Sequence, residues 1–338
     1  MTRWGVSLVI AVGICYLPHV LFASWVYEDA AWMQGLVSTT PTWQRGRGGF
    51  WTFLWLQWQV APDPRFFHAV SVALHFTVAV LTGAWVRRLG LSAAAGSIAV
   101  VVVLLPALGV EAVAYAAQQG ELLAAVAVLG TCIFAAGQWW RPAPCLGIVA
   151  CLWLGFWMKE TAIVALGMVP LVIASRARWY RWERPVWASP WLPAVLAGGV
   201  LIAGIVAYGG PLAIVNIGDP GEARVSGLDW LLVQSAAAMR TLGLLIVPYG
   251  LTVDYDYDRV PMVLRWLAVA GLAGLAVWAW MLRRSWIGLG LACMLVIIAP
   301  RLLIQTPRSH FNLHQAYLLL PGFALIVAAV YDKVRARC

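Results

Sequence analysis

The chain has 338 residues, of which 62% are hydrophobic and only 11% charged, and its mean hydropathy is +0.82. A soluble domain carries roughly a quarter charged residues, so the composition excludes an ordinary soluble protein and predicts a polytopic membrane protein. The net charge of +9 comes from bases in short segments between apolar runs, which is the positive-inside pattern. A nucleic-acid partner is not expected, because the sequence shows no basic face with base-reading groups.

The first apolar run, about residues 5–24, follows Arg3 and predicts a span with a cytoplasmic N-terminus. Residues 25–66 then form a predicted external loop. Within it, the aromatic run 50–58 is too short to span the membrane and too apolar for open water, which indicates an interfacial helix. The next predicted span, about 67–86, ends at Arg87-Arg88 and so returns the chain to the cytoplasm.

Further spans are predicted at about 92–108, 111–136, 190–208, 263–281, 285–300 and 315–331. The stretch 146–175 is either one span with a buried charge pair or two short helices that meet at the outer face. We prefer the second choice, because it keeps the basic segment Arg176–Arg184 inside. Residues 229–247 should be helical, but Arg240 and the charge rule disfavour a simple crossing, so we expect a re-entrant or interface-lying helix. Together these elements predict an all-α bundle of about 9–11 transmembrane helices in one domain, 1–338, without a soluble domain.

The acidic residues are distributed unevenly on this map. Of fourteen acids, only Glu183 and Asp332 fall on the predicted cytoplasmic side, which indicates an outward-facing acidic site. Glu28 and Asp29 follow the first span directly, where two carboxylates near hydrocarbon are costly unless they are used. They suit a general base for a hydroxyl acceptor or ligands for a divalent cation, and a solvated start of the loop is the structural alternative.

Two further charged pairs are candidates for the same site. Glu111 and Glu121 are ten residues apart, close to three helical turns, so on a continuous helix they would share a face; a capping role is the alternative. Lys159-Glu160 is a charge pair at predicted membrane depth, where such pairs are rare and often functional. A staple at a turn between helices would look identical in the sequence.

Histidines and arginines give weaker signals. His68 and His75 are seven residues apart on one face of the second span, but without a third ligand they make a poor zinc signal. Arg240, Arg301 and Arg308 would suit the phosphate of a lipid donor, since guanidinium matches phosphate in a bidentate manner. They could equally reach to lipid headgroups.

Six short motifs occur in the order in which one known family has them. They are Tyr27–Asp29, similar to an aromatic-Asp-Asp stretch; Phe67–His75, similar to YHxxNxxLH with Ser71 for the asparagine; Pro106–Tyr115, similar to HPxxxEAVAW; Lys159–Ala162, similar to SKE[ST]A; Arg240–Tyr255, similar to RYLxLLLFPxxLSxDY; and Tyr317–Pro321, similar to YLYLP. Through them the chain from about 25 to 321 resembles the membrane domain of the TMTC-type O-mannosyltransferases and their bacterial relatives, within the GT-C glycosyltransferase superfamily.

The resemblance implies a GT-C-like bundle that transfers a sugar, such as the hexose mannose, from a polyprenyl-phosphate donor to a hydroxyl of a protein, glycan or lipid, with inversion. Asp29 or Glu28 would be the catalytic base, and no cofactor beyond a divalent cation is implied. The implied donor- and acceptor-binding residues are Glu111, Glu121, Lys159, Glu160, Arg240, Asp254, Tyr255, Arg301, Arg308, His75, Gln119 and Tyr317. The expected location is a bacterial inner membrane with the site facing the periplasm, or the endoplasmic reticulum lumen in a eukaryote.

The chain departs from the family pattern at two places. The arginine of the family's SGRA[DE] motif aligns with Gln119, although its acid is retained as Glu121, and the acid-arginine pair before YLYLP aligns with Gln315-Ala316. The tetratricopeptide repeats common after this membrane domain are not expected in this chain. These departures leave open a catalytically silent relative that acts as a scaffold. A transporter or lipid flippase is the other alternative, which would spread ionisable residues along a pathway through the bilayer midplane.

Overall fold

The structure, a computed structural model, describes residues 13–25, 48–105, 109–138, 141–180, 198, 227–249, 257–303 and 313–337. Every regular element in these ranges is a helix, and they contain no strand, which confirms the predicted all-α class. Three helical stretches in the described part are long and apolar enough to cross a membrane: Pro64–Arg88, Ala116–Ala135 and Met262–Met281. The count of 9–11 spans stays a prediction.

The helices follow an N-terminal helical segment, residues 13–21. In chain order they are α1 (Gly48–Val60), α2 (Pro64–Arg88), α3 (Ala93–Leu104), α4 (Val110–Ala114), α5 (Gln119–Ala135), α6 (Pro142–Met158), α7 (Ala165–Tyr180), α8 (Gly227–Ile246), α9 (Met262–Met281), α10 (Trp286–Leu303), α11 (Leu313–Ala316) and α12 (Leu319–Arg335). Short 3₁₀ turns at Ala116–Gln118, Glu160–Val164 and Tyr257–Arg259 connect some of them.

The longest helix, α2, carries clear start and stop signals. The Asp63 side chain caps its N-terminus by accepting a hydrogen bond from the Arg65 N–H at 2.8 Å, and Pro64 occupies the first turn, where its missing N–H costs nothing. Arg87 and Arg88 lie in the last turn, where cations oppose the negative end of the helix dipole. The predicted span 67–86 is therefore confirmed as a helix, extended by a few residues at both ends.

One end of the bundle is basic, because the last turns of α2 and α12 carry Arg87, Arg88, Lys333 and Arg335. Arg176 donates from Nε to the Ala136 carbonyl and from Nη1 to the Leu89 carbonyl, both at 3.1 Å, so the ends of α2, α5 and α7 meet. The Ser92 N–H at the start of α3 lies 3.5 Å from an Asp332 carboxylate oxygen of α12. The first turns of α2 lie at the opposite end of that helix, about 30 Å away at 1.5 Å per residue. Which end faces the cytoplasm stays a prediction.

One predicted span is confirmed only in part, because Ala116–Ala135 is long and apolar enough to cross a membrane but its helix does not begin at residue 111. The stretch 111–136 is not a continuous helix, because α4 ends at Ala114, Tyr115 is extended (φ −104°, ψ 120°), and a 3₁₀ turn precedes α5. The extended residue and the tighter turn break the 3.6-residue period. Glu111 and Glu121 therefore do not share a face of one helix, and the argument from their ten-residue spacing fails.

Two other predicted stretches are helical in the structure. In 146–175 the chain forms two helices, as preferred above: α6 ends at Met158, Lys159 is extended (φ −159°, ψ 138°), and a 3₁₀ turn leads into α7. The helix predicted at 229–247 is present as α8, which continues unbroken through Arg240. Its re-entrant or interface-lying position is not tested, and the span predicted at 190–208 lies outside the described residues except for residue 198.

Candidate functional site

The aromatic helix α1 covers the two helix interruptions. Its buried Phe50 and Leu54 form a small apolar cluster with Phe67 of α2 and with Ala116 of the first 3₁₀ turn. Gly49 lies so close to α6 that a Cβ there would stand 2.9 Å from Trp157 Cδ2. The helix predicted for residues 50–58 is thus confirmed, and it lies against the point where α4–α5 and α6–α7 are interrupted.

A buried ion pair lies at these interruptions. The Lys159 ammonium is 3.1 Å from Glu121 Oε1, and the two side chains are 7% and 0% exposed. The Thr161 hydroxyl donates to the other oxygen, Oε2, at 2.8 Å, and Lys159 also donates to Gln118 Oε1 at 3.1 Å. Lys159 and Glu121 belong to two separate candidate pairs in the sequence, and the structure shows them in contact with each other. Because an unpaired charge at this depth would be very costly, each partner requires the other.

Gln119 forms a second polar cluster beside the ion pair. Its carbonyl oxygen accepts from Gln57 Nε2 of α1 at 2.7 Å. Its amide nitrogen lies 2.9 Å from the Phe67 carbonyl oxygen and 3.1 Å from Ser71 Oγ, both on α2, and 3.3 Å from Gln57 Oε1. All three side chains are buried. Gln119 therefore joins α1, α2 and α5 through neutral hydrogen bonds.

His75 connects three distant parts of the chain. Its Nδ1 is 2.7 Å from the Tyr317 hydroxyl and its Nε2 is 3.1 Å from the Tyr16 hydroxyl, and Tyr16 donates its own proton to the Leu104 carbonyl at 3.0 Å. Tyr16 must then accept from Nε2–H, so Nδ1 carries the lone pair and accepts from Tyr317. A neutral imidazole satisfies every contact of this chain. Gly109 lies over the ring, since a Cβ there would stand 3.4 Å from His75 Cε1.

His68 faces the same N-terminal helical segment as His75, as their seven-residue spacing predicts, but it contacts a different residue of that segment. Its Nδ1 lies 3.0 Å from His19 Nε2, and its Nε2 lies 3.3 Å from the Ser24 carbonyl oxygen. Sequence reasoning missed both His19 and Tyr16, because each is a single polar residue in the first apolar run and its partner lies 49 or 59 positions away. No local periodicity marks such a pair.

The remaining predicted residues divide into described and undescribed ones. Glu111 is buried on α4, Glu160 begins the 3₁₀ turn after Lys159, and Arg240 lies on α8. The Arg301 carbonyl near the end of α10 accepts from the Trp230 indole N–H at 3.1 Å, which joins α8 to α10. The predicted residues outside the described ranges are Glu28, Asp29, Asp254, Tyr255 and Arg308.

Among the described residues, no group of three or more His, Cys, Asp or Glu side chains has the arrangement of a metal site. Comparisons of the chain with protein-family models, with curated proteins and with solved structures give no match. The described site contains a buried ammonium–carboxylate pair, Lys159 and Glu121, where two helices are interrupted. Beside it lie the neutral amide cluster of Gln119 and the imidazole of His75, which contacts two tyrosines.

Proposed function

We propose that the protein is an integral-membrane glycosyltransferase that transfers a sugar from a polyprenyl-phosphate donor to an acceptor hydroxyl, with inversion at the anomeric carbon. One observation carries the proposal: residues of separate sequence motifs contact one another in a single region. The contacts between motifs are Ser71 with Gln119, Glu121 with Lys159 and Thr161, and His75 with Tyr317 and Gly109.

These contacts support a shared function of the motifs, because the motifs are far apart in the chain. His75 and Tyr317 are separated by 242 positions, and Glu121 and Thr161 by 40. Buried polar residues in a membrane protein are expensive and are often functional. Helix packing alone could be achieved with small apolar residues, so it does not require an ion pair, an amide cluster and a histidine chain next to one another.

In the proposed reaction, Asp29 or Glu28 accepts the proton of the acceptor hydroxyl as its oxygen attacks the anomeric carbon. The bond from that carbon to the donor phosphate oxygen breaks, and the lipid phosphate leaves with the bonding electron pair. A cation must stabilise the charge on the leaving group. Lys159 is the candidate in the described site, and Arg240, Arg301 and Arg308 are candidates from the sequence.

The test is an assay of the purified protein with a panel of polyprenyl-phosphate sugars, in which release of free polyprenyl phosphate is measured. We expect release with one class of sugar, and its loss in Asp29→Ala or in the double variant with Glu28→Ala, at unchanged expression in the membrane. Asp332→Asn, a carboxylate at the basic end of the bundle, is the matched control and should keep full activity. Absence of release with every donor from folded protein would refute the proposal.

A transporter or lipid flippase is the second candidate, and one observation favours it. Two interrupted stretches, at Tyr115 and Lys159, lie side by side around the buried pair of Lys159 and Glu121, and discontinuous helices with polar groups at the break are typical of transport sites. Reconstituted vesicles would separate the two functions, because a flippase moves fluorescent polyprenyl-phosphate lipids between leaflets without releasing a sugar.

A further inference from the structure

Two arginine side chains approach the same short segment of the chain, directly after α5 ends at Ala135. Arg176 of α7 donates from Nε to the Ala136 carbonyl at 3.1 Å. Arg88, the last residue of α2, reaches the following residue, because a Cβ on Gly137 would stand 2.8 Å from Arg88 Nη2. The glycine has no side chain that would hold this guanidinium away. Two positive charges are therefore placed at consecutive residues of the chain.

A third arginine adds positive charge at this place. Arg141 is the N-cap residue of α6, and its N–H donates to the Gln138 carbonyl at 2.9 Å, which keeps the start of α6 close to Gly137. The side chains of Arg88 and Arg141 are both exposed, so each guanidinium can donate hydrogen bonds to a ligand from outside the protein. Cationic groups placed close together repel one another, and an anion between them relieves that repulsion. The three arginines therefore favour an anionic ligand.

The surroundings of the arginines fit a lipid better than a free anion. The helix that Arg88 ends, α2, is long and apolar enough to cross a membrane, so a bilayer around it has its headgroups level with this guanidinium. One turn before Gly137, the Phe134 side chain is 39% exposed. Its ring lies against α6, where a Cβ on Gly147 would stand 2.8 Å from Phe134 Cε2, and the adjacent Leu146 is 68% exposed. This apolar surface suits an acyl chain, whereas a free phosphate ion gains nothing from it.

We propose that this end of the bundle binds an anionic phospholipid, whose phosphate accepts hydrogen bonds from Arg88 while Arg176 and Arg141 add positive charge. Guanidinium matches phosphate through two parallel N–H···O bonds, and basic pockets between membrane helices bind anionic headgroups in this way. The exposed apolar surface of α5 and α6 contacts the acyl chains. The site is separate from the proposed transferase site, since Arg88 lies 17 residues beyond Ser71 on α2, a distance of about 25 Å at 1.5 Å per residue.

The test is a lipid titration of the delipidated full chain in a neutral detergent, followed by native mass spectrometry. Dioleoyl phosphatidylglycerol is the anionic probe, dioleoyl phosphatidylcholine is the zwitterionic comparison with the same acyl chains, and inorganic phosphate is the competitor. We expect phosphatidylglycerol to bind saturably and more tightly than phosphatidylcholine, without displacement by inorganic phosphate at equal concentration. Arg88→Gln should weaken the binding of phosphatidylglycerol at least about fivefold, the usual contribution of one basic residue near an anionic membrane surface.

Two variants control for charge and for geometry, and unfolding midpoints without lipid check that every variant is folded. Arg65→Gln removes an exposed cation from the first turn of the same helix and should leave the affinity unchanged. Gly137→Ala keeps every charge but places a methyl group where Arg88 Nη2 lies, so it should also weaken binding. The proposal is overturned by wild-type affinity in Arg88→Gln or Gly137→Ala, by an equal loss in Arg65→Gln, or by equal binding of the two lipids. Displacement by inorganic phosphate would show that the ligand is a free anion instead of a lipid.

Discussion

The ion pair between Lys159 and Glu121 yields the sharpest prediction about stability. Substitution of Lys159 by methionine keeps the bulk and apolar stem of the side chain but removes the ammonium, which leaves a fully buried carboxylate with the Thr161 hydroxyl 2.8 Å from one oxygen. Breaking a buried pair by removing one partner costs about 3–5 kcal/mol. The folded population relative to the unfolded one should therefore fall by a factor of about 100 to 4,000, since 1.4 kcal/mol is about tenfold.

A double-mutant cycle separates the pair from the rest of the site. Glu121→Leu combined with Lys159→Met removes both charges and should cost far less than the sum of the single variants, because replacing a whole buried pair by apolar residues is often neutral. Equilibrium unfolding in mixed micelles with a rising fraction of denaturing detergent, followed by tryptophan fluorescence, measures all four proteins. The reasoning fails if Lys159→Met costs under about 1 kcal/mol, or if the two single costs add.

Three further predictions use the same unfolding assay. Gln119→Leu should lower the free energy of unfolding by about 2–4 kcal/mol, because it breaks several hydrogen bonds and leaves the buried amide of Gln57 without its partner Gln119. The double variant with Gln57→Leu should recover most of that stability. Absence of any recovery would contradict a paired role of the two residues. Tyr317→Phe should cost about 1–3 kcal/mol, because the buried imidazole of α2 loses its donor, and an unchanged midpoint would count against the derived tautomer. Gly83→Ala should lower the free energy of unfolding by about 1–3 kcal/mol, since a Cβ there would stand 2.6 Å from an α3 side chain. Gly274→Ala is the control, because a Cβ there would have no heavy atom within 4 Å. It should be neutral or stabilising by up to about 1 kcal/mol.

The sequence was informative wherever a local signal existed. Apolar length and closing arginines predicted α2, and the all-α class followed from composition. The division of 146–175 into two helices was predicted by a count of charges on each side of the membrane, because one span would have placed Arg176 on the wrong side. The structure confirms the division at Lys159, where the backbone is extended.

Sequence reasoning failed where the determining contact is far away in the chain. Nothing between Glu111 and Glu121 contains a proline, and the alanine-rich sequence favours a helix, so the extended Tyr115 has no local cause. The interruption coincides with polar contacts that reach other elements, such as the amide cluster of Gln119 and the pairing of Glu121 with Lys159. Tertiary contacts override helix propensity here, and no pattern within ten residues reports them.

The neutral surroundings of Gln119 bear on how the proposed transferase would work without the arginine that the TMTC-type sequence pattern has at this position. The Gln119 amide nitrogen has only two hydrogens, and the Phe67 carbonyl and Ser71 hydroxyl lie at 2.9 and 3.1 Å from it, so little donor capacity remains for a phosphate. In the proposed reaction the positive charge must then come from another cation. Lys159 is a buried candidate, because it contacts Glu121 and Gln118 where the helices are interrupted.

This reasoning predicts a difference between two variants of Lys159. Lys159→Arg keeps the charge and should retain part of the rate of polyprenyl-phosphate release, whereas Lys159→Met should reduce that rate by at least about 100-fold, the usual cost of removing one group that stabilises developing charge. Both rates are normalised to folded protein, because the methionine variant is also expected to be less stable. A methionine variant that is folded and releases lipid phosphate at the wild-type rate would remove Lys159 from the reaction. The charge on the leaving phosphate would then have to be stabilised by another cation, and Arg240 and Arg301 are the next candidates.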